Sequence, residues 1–365
     1  MALKVAIVGC GKIADAHVEQ VQKLPQAEVA AVCDLEVLMA EQIAVRYGIP
    51  KWFDDVDVML AQTRPDVVHI TTPPQSHAPL GIKAIDAGCH VFVEKPLSVD
   101  APSGRRLLEY AELKGRKLSI NYWPNFDPPA LRLRELVDSG VIGAPVHIES
   151  YLGYNLAGEF GQALLKDAGH WVHRLPGKLF QNTLDHILNK VTPFLPDEHP
   201  RLESLAYRRR PSTGFSTDDV ADELRILLQG ETVSAYATLS SHAKPVGHFL
   251  RVYGERNTVH VDFNLRTVIL EGEQQLPSAL GRLGPPFTQA WRHLRAGLGN
   301  VRKFANSEFH YFAGMRELVS RFYASIEHDT PVPIPYAEIL RVSEWMDVIF
   351  GQITQQSPVQ TIRSV

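Results

Sequence analysis

The feature that most constrains this chain is the way it begins. Val5-Ala6-Ile7-Val8 is a short apolar run, as a strand buried on both faces requires, and it leads straight into Gly9-Cys10-Gly11-Lys12-Ile13-Ala14. A helical pattern follows, with Ile13, Ala16, His17 and Val21 near one face, and a second apolar run, Val29 to Cys33, ends in Asp34. Strand, glycine turn, helix, strand and acid in that order predict a βαβ unit whose turn accepts a dinucleotide. Gly9 makes the tight turn, and Gly11, without a Cβ, lets the backbone approach a pyrophosphate. Ala14 is the small residue that lets helix and strand pack closely. Lys12 and Ile13 complete the turn, so the pyrophosphate rests on the N–H groups of the helix start. Asp34 accepts hydrogen bonds from an adenosine ribose, and with no arginine in Leu35-Glu36-Val37 the acid favours NAD over NADP.

The alternation continues to about residue 122. Asp66 to Thr71 reads as a strand, Gln75 to Gly88 as a helix closed by its glycine, and His90 to Val93 as a strand. A helix from Ala101 to Lys114 and a last strand from Lys117 to Asn121 follow. Short connections between such elements predict a doubly wound parallel sheet of the Rossmann type, with ligands at the carboxyl ends of its strands. After Tyr122 the pattern changes. A helix from Pro128 to Asp138 precedes longer strands at 146–154, 202–209, 221–228, 232–239, 249–254 and 267–270. They predict a separate α+β substrate domain with a largely antiparallel sheet. The Gly-, Pro- and Arg-rich stretch from Leu276 to Asn306 reads as an irregular excursion with a short helix near Trp291. Helices at 314–327 and 336–350 close the chain. The expected domains are therefore 1–122 and 123–365.

At 365 residues the chain has room for two cores, and a net charge of -4 without basic bias argues against a nucleic-acid partner. Arg208-Arg209-Arg210 is the one local basic cluster and reads as solvated surface. No stretch approaches the ~20 apolar residues of a membrane helix, and the N-terminal apolar run is too short for a signal peptide, so no membrane partner is expected. The three cysteines, Cys10, Cys33 and Cys89, form no disulfide framework and lack the spacing of a zinc site, which fits a cytoplasmic protein without a metal.

Two further turns carry chemistry. In Thr71-Thr72-Pro73-Pro74-Gln75-Ser76-His77, at a strand's carboxyl end, the prolines stiffen the turn and Ser76 is placed to cap the helix. His77 reads as structural rather than catalytic. The next strand ends in Glu94-Lys95-Pro96. Lys95 can hydrogen-bond a reacting hydroxyl and steady an alkoxide-like oxygen, Glu94 can hold a ribose, and Pro96 can fix the turn with a cis bond.

Taken together, Gly9 to Ala14, Thr72-Pro73-Pro74 with His77, Glu94-Lys95-Pro96, Asn121, and Phe126-Asp127-Pro128 followed by Leu136 to Gly143 resemble the glucose-fructose oxidoreductase / inositol dehydrogenase (Gfo/Idh/MocA) family. The resemblance is close to about residue 150 and thins afterwards. It implies a Rossmann domain followed by an α+β domain with an open antiparallel sheet, which commonly makes the contact of a homodimer or homotetramer. It also implies NAD or NADP chemistry on sugars, cyclitols or related polyols, with Thr71, Pro73, His77, Glu94, Lys95 and Asn121 along the cofactor. The family's helix with Gly-Gly and Asp-x-x-x-His has its counterpart at Gly177 to His186, where Lys178 replaces the second glycine and Asn182 the aspartate. In that register Asn182 and His186 share a helix face, with His186 as acid/base and Asn182 orienting its ring. A shifted register pairs Gln181 with Asp185. Just upstream, His170 and His173 are three apart without a nearby third ligand, and Trp171 can stack on a sugar ring. The expected activity is hydride transfer between nicotinamide and a secondary alcohol or ketone. The alternative is a sensor or scaffold that binds the dinucleotide without turnover.

Overall fold

The computed structural model describes residues 2–167, 169–209, 220–272, 280–306 and 310–356. Strands and helices alternate at the start: β1 (Leu3–Val8), α1 (Ala14–Gln22), β2 (Ala27–Cys33), α2 (Val37–Tyr47), β3 (Trp52–Phe53), α3 (Val56–Thr63), β4 (Val67–Ile70), α4 (His77–Asp86), β5 (His90–Val93), α5 (Ala101–Leu113) and β6 (Leu118–Ile120). The strands form one parallel sheet in the order β3-β2-β1-β4-β5-β6. All four residues of β4 are buried, because helices cover both faces. The strand order reverses between β1 and β4, which is where such a sheet opens a crevice at its carboxyl ends. Caps set the helix starts: the Asp55 carboxylate accepts from the Val58 N–H (2.9 Å) and the Asp100 carboxylate from the Ser103 N–H (2.7 Å). Ser76 precedes α4 without capping it. Its hydroxyl instead lies 2.6 Å from Thr72 Oγ1 and 2.8 Å from the Pro73 carbonyl.

The middle of the chain holds α6 (Pro128–Asp138), β7 (Pro145–Gly153), α7 (Glu159–Lys166), α8 (Asp185–Leu188), β8 (Arg201–Tyr207), β9 (Glu223–Gln229), β10 (Ser234–Ser240), β11 (His248–Gly254), β12 (Asn257–Asp262), β13 (Thr267–Gly272) and α9 (Leu280–Ala305). The strands build a sheet in the order β13-β12-β11-β7-β10-β9-β8. Only β7 and β10 pair in parallel, with His147 opposite Ser234; the other pairs are antiparallel. The expectation of an irregular stretch from Leu276 to Asn306 is corrected from Leu280 onward, where α9 is a continuous helix of 26 residues; residues 276–279 lie outside the described residues. Glycines and Pro285-Pro286 obscure it in sequence, yet its apolar residues recur at helical spacing. Arg210 of the arginine cluster lies outside the described residues.

Two helices close the chain, α10 (Ala313–Glu327) and α11 (Tyr336–Gln355). The compact units are not consecutive in sequence. The first comprises Met1–Phe126 with Gly314–Asp347, the second Asp127–Ala313 with Val348–Val365. A division into 1–122 and 123–365 does not foresee that return. In the first unit Tyr323 of α10 is wholly buried, and the Lys117 ammonium donates to the Ser325 (2.6 Å) and Thr330 (2.7 Å) carbonyls. All three cysteines are buried and free. No helix among the described residues is long and apolar enough to cross a membrane.

Candidate active site

The glycine turn is held from below and open above. Gly9 has φ +98°, and a Cβ there would sit 2.8 Å from the Thr72 backbone nitrogen, so only glycine fits. The Thr71 hydroxyl donates to the Gly9 carbonyl at 2.5 Å, so Thr71 braces the turn. A Cβ at Gly11 would meet nothing within 4 Å. Lys12 and Ile13 follow, Lys12 exposed and Ile13 half-buried before α1. Asp34 follows β2, and its carboxylate accepts from the Cys10 N–H (2.6 Å) and the Glu36 N–H (2.9 Å). The acid thus fixes the turn while each oxygen keeps a lone pair.

Pro73 leads into the short turn before α4, and His77 begins that helix fully buried. Its ring spans the Thr72 (2.7 Å) and Pro96 (2.8 Å) carbonyls, which ties this turn to the next one. Burial lowers its pKa against the pull of both carbonyls. A neutral imidazole has one N–H, so it donates to one of the two. The Lys95-Pro96 bond is cis. Lys95 is half-buried after β5, and Asn121 follows β6 almost completely buried.

Glu94 is where the structure departs most from a reading of this turn alone. Its side chain is buried and ends a line of polar groups: Tyr323 hydroxyl to His69 Nε2 (2.8 Å), His69 Nδ1 to His17 Nδ1 (2.9 Å), and His17 Nε2 to Glu94 Oε1 (2.9 Å). The Asn121 amide also donates to Oε1, and the Lys95 N–H lies 3.2 Å from Oε2. One proton arrangement satisfies the whole line. Tyr323 donates to His69, His69 donates through Nδ1 to His17, and His17 donates through Nε2 to an ionised Glu94. Reversed, the line would leave the buried Tyr323 hydroxyl proton without an acceptor, at a cost of about 1–3 kcal/mol. Burial pushes the Glu94 carboxyl up, but the hydrogen bond from His17, the Lys95 charge and the Asn121 amide outweigh it and hold it below the ordinary value. Burial, then His17, keeps His69 well below its usual range and so neutral. Sequence reasoning saw His17 and His69 only as members of a helix and a strand. Their clue was a histidine at a core-facing position of each. Beside this line, Asn121 Oδ1 is buried without a hydrogen-bond partner among the described residues.

The stretch from His170 to Lys190 belongs to the second unit. Trp171 opens a 3-10 turn ending at Arg174, and its side chain lies outside the described residues. His173 Nε2 lies 2.8 Å from the Leu164 carbonyl, and His170 Nδ1 accepts from the Val172 N–H at 3.4 Å. Lys178–Asn182 form another 3-10 turn, Thr183 breaks it at φ -121°, and only Asp185–Leu188 are α-helical. The expectation that Asn182 and His186 share one helix face is therefore corrected: no continuous helix joins them. Asn182 and His186 are half-buried, and Gln181 and Asp185 are buried.

Sequence reasoning also passed over Lys190. It is buried, its ammonium donates to the His186 carbonyl, and it lies 5.1 Å from the centre of the Phe263 ring. Burial lowers its pKa to about 7, against the charge of Asp185. The His248 ring packs on Phe263 at 4.6 Å, and burial, then Lys190, holds it well below its usual range. The signal was a lysine set among Ile187, Leu188 and Val191. Among the described residues no three His, Cys, Asp or Glu side chains gather as metal ligands.

Residues 3–122 match the family model described as an oxidoreductase family with an NAD-binding Rossmann fold. D-glucoside 3-dehydrogenase of Escherichia coli is 34% identical over 142 residues, 39% of this chain and 40% of that protein. The match thus spans well under half the length of that relative. Inositol 2-dehydrogenase of Rubrobacter xylanophilus is 26% identical over 71% of both chains. Among solved structures, the WlbA dehydrogenase of Bordetella pertussis, in complex with NADH and UDP-GlcNAcA, superimposes with a TM-score of 0.76 at 15% identity, covering 97% of this chain and 96% of that one. At that identity the likeness speaks for the fold.

Proposed function

We propose that this chain, which through residues 3–122 belongs to the Gfo/Idh/MocA oxidoreductase family, is an NAD-dependent dehydrogenase acting on a secondary alcohol of a sugar, cyclitol or sugar derivative, or on the matching ketone. The observation that carries this reading is the carboxyl edge of the parallel sheet. There an open glycine turn is locked to Asp34, and Lys95 follows the next strand but one in the sheet, beside a buried carboxylate. The names of the related dehydrogenases support the substrate class.

The residues fit a dinucleotide. The open face at Gly11 leaves room for a pyrophosphate, which the N–H groups from Gly11 to Ile13 would hold, with Lys12 alongside. Asp34 has lone pairs left for ribose hydroxyls, and Leu35, at 90% exposure, offers no cation to a 2′-phosphate, so NAD is preferred over NADP. Thr71, Pro73 and His77 shape the turn beside it, and Glu94 and Asn121 form the floor at the end of β5 and β6. When bound, the nicotinamide supplies the hydride acceptor or donor. Lys95 donates to the reacting oxygen and stabilises its negative charge. His186 accepts the hydroxyl proton, Asn182 hydrogen-bonds the substrate, and Trp171 stacks on its ring. Assembly as a homodimer or homotetramer in the cytoplasm belongs to the same reading.

The test is a panel of sugars, nucleotide-sugars and inositols with NAD and with NADP, followed at the nicotinamide absorbance. Turnover of a polyol with NAD supports the proposal. Tight NAD binding with no turnover of any member would favour the dinucleotide-binding sensor. Tighter binding of NADP than of NAD would overturn the role given to Asp34.

A further inference from the structure

Helix α9 is built inside out. Gln289 donates to the Glu271 carboxylate (3.3 Å) and Asn300 to the Leu265 carbonyl (2.8 Å), so the helix meets β13 and the turn before it through polar side chains. At 100° per residue, Leu298 lies half a turn around from Gln289. It belongs to a row, Leu283, Phe287, Trp291, Leu294, Leu298 and Val301, with spacings of four, four, three, four and three residues. Every member is exposed, from 54% at Leu294 to 76% at Phe287. The row is about 27 Å long at 1.5 Å per residue. Six large apolar side chains in one stripe are far more than the scattered exposed residues of an ordinary surface.

Charge indicates what covers the stripe. Over Leu280–Ala305 the sequence carries Arg282, Arg292, Arg295, Arg302 and Lys303 and neither Asp nor Glu, in a chain whose net charge is -4. Arg295 and Arg302, seven residues apart, flank one edge of the stripe on the helical wheel. A second copy of the helix would bring cations against cations. An anionic lipid surface satisfies both features at once: it takes the apolar row among its acyl chains and the arginines among its phosphates. Aromatic and leucine residues on one face, arginines beside them and modest overall hydropathy are the composition of a helix that lies in the membrane interface, and α9 is not apolar enough to span.

We propose that α9 is a membrane-surface anchor that binds anionic phospholipid bilayers. The inference departs from the sequence expectation of no membrane partner, and it stands independently of the dehydrogenase reading.

The experiment is co-sedimentation of the full-length protein with vesicles of phosphatidylcholine alone and of phosphatidylcholine with phosphatidylglycerol. Binding is expected to the anionic vesicles, at least tenfold weaker to the neutral ones, and reduced by high salt. Trp291→Glu with Leu298→Glu should abolish it, and Arg295→Glu with Arg302→Glu should weaken it at least fivefold. Circular dichroism of both variants checks that these exposed changes leave the fold intact. Absence of binding to anionic vesicles, or equal binding by the Trp291→Glu/Leu298→Glu protein, overturns the proposal. A light-scattering mass that falls from dimer to monomer in that variant, without vesicle binding by the parent, would assign the stripe to a second copy instead.

Discussion

Two buried polar groups, one in each unit, are built on opposite terms. The line Tyr323–His69–His17–Glu94 is satisfied at each step, so each proton has one place and Glu94 stays ionised despite burial. The cluster around Lys190 is dominated by desolvation: the lysine is held near neutrality and His248 is kept uncharged. The first arrangement resists changes of protonation and holds geometry. The second titrates close to neutral pH. A buried hydrogen-bonded carboxylate thus serves as scaffold, whereas a buried amine responds to pH.

Substitutions test that contrast. The largest effect is expected at Glu94. Glu94→Ala leaves the His17 N–H and the Asn121 amide buried without their acceptor, and should cost about 3–5 kcal/mol in urea unfolding. Glu94→Gln keeps one acceptor oxygen and should lose clearly less. Equal, small losses would mean that water replaces the carboxylate and the line is not a scaffold.

Next comes Lys95. Lys95→Ala should lower turnover by roughly a hundredfold, the scale of one aimed electrostatic donor, with NAD affinity nearly unchanged. His186→Ala should also remove most turnover, and with it the acidic limb of the pH profile of kcat/KM. Retained activity in His186→Ala would move the proton to another group, Asp185 being the first to examine.

Lys190→Met probes the second cluster. Native Lys190 is neutral above about pH 7, while the unfolded lysine stays charged to ~10.4. Between those values the unfolded state binds one more proton, so this group makes stability rise with pH by ~1.4 kcal/mol per unit. In Lys190→Met that slope should vanish. An unchanged slope between pH 7 and pH 10 would show that Lys190 is charged in the folded protein.

The smallest effect is expected from Tyr323→Phe, about 1–2 kcal/mol, because it removes one donor and leaves His69 Nε2 unpartnered. Histidine 15N shifts should report loss of the fixed tautomer at His69. Unaltered shifts would mean that the Tyr323 hydroxyl does not set the protonation of His69.

The first unit was legible because its signals are local. Val5 to Ala14 and Asp34 lie within one βαβ unit, and the parallel order follows from the alternation of strands and helices. Elements whose apolar residues stay exposed were harder to read. Helix α2 carries Leu38 and Val45 at 66% and 72% exposure, which blurs its period. Helix α9 hid behind its glycines and prolines. The 170–190 stretch misled in another way: a motif spacing suggested one helix, while the chain breaks at Thr183.

By itself the sequence determined the glycine turn, the acid that closes it, the Glu94-Lys95-Pro96 turn and the change from parallel to mostly antiparallel strands. These rest on neighbours in the chain and on the 2.0 and 3.6 periods of its elements. Only the tertiary structure decided what Glu94 does, because His17 and Asn121 bond it directly while His69 and Tyr323 connect to it through His17, the last from 229 residues away along the chain. It also decided that Lys190 is desolvated and that α9 turns its apolar face outward. Burial and pairing belong to the packed chain, and a one-dimensional pattern names the side chains without saying which of them meet.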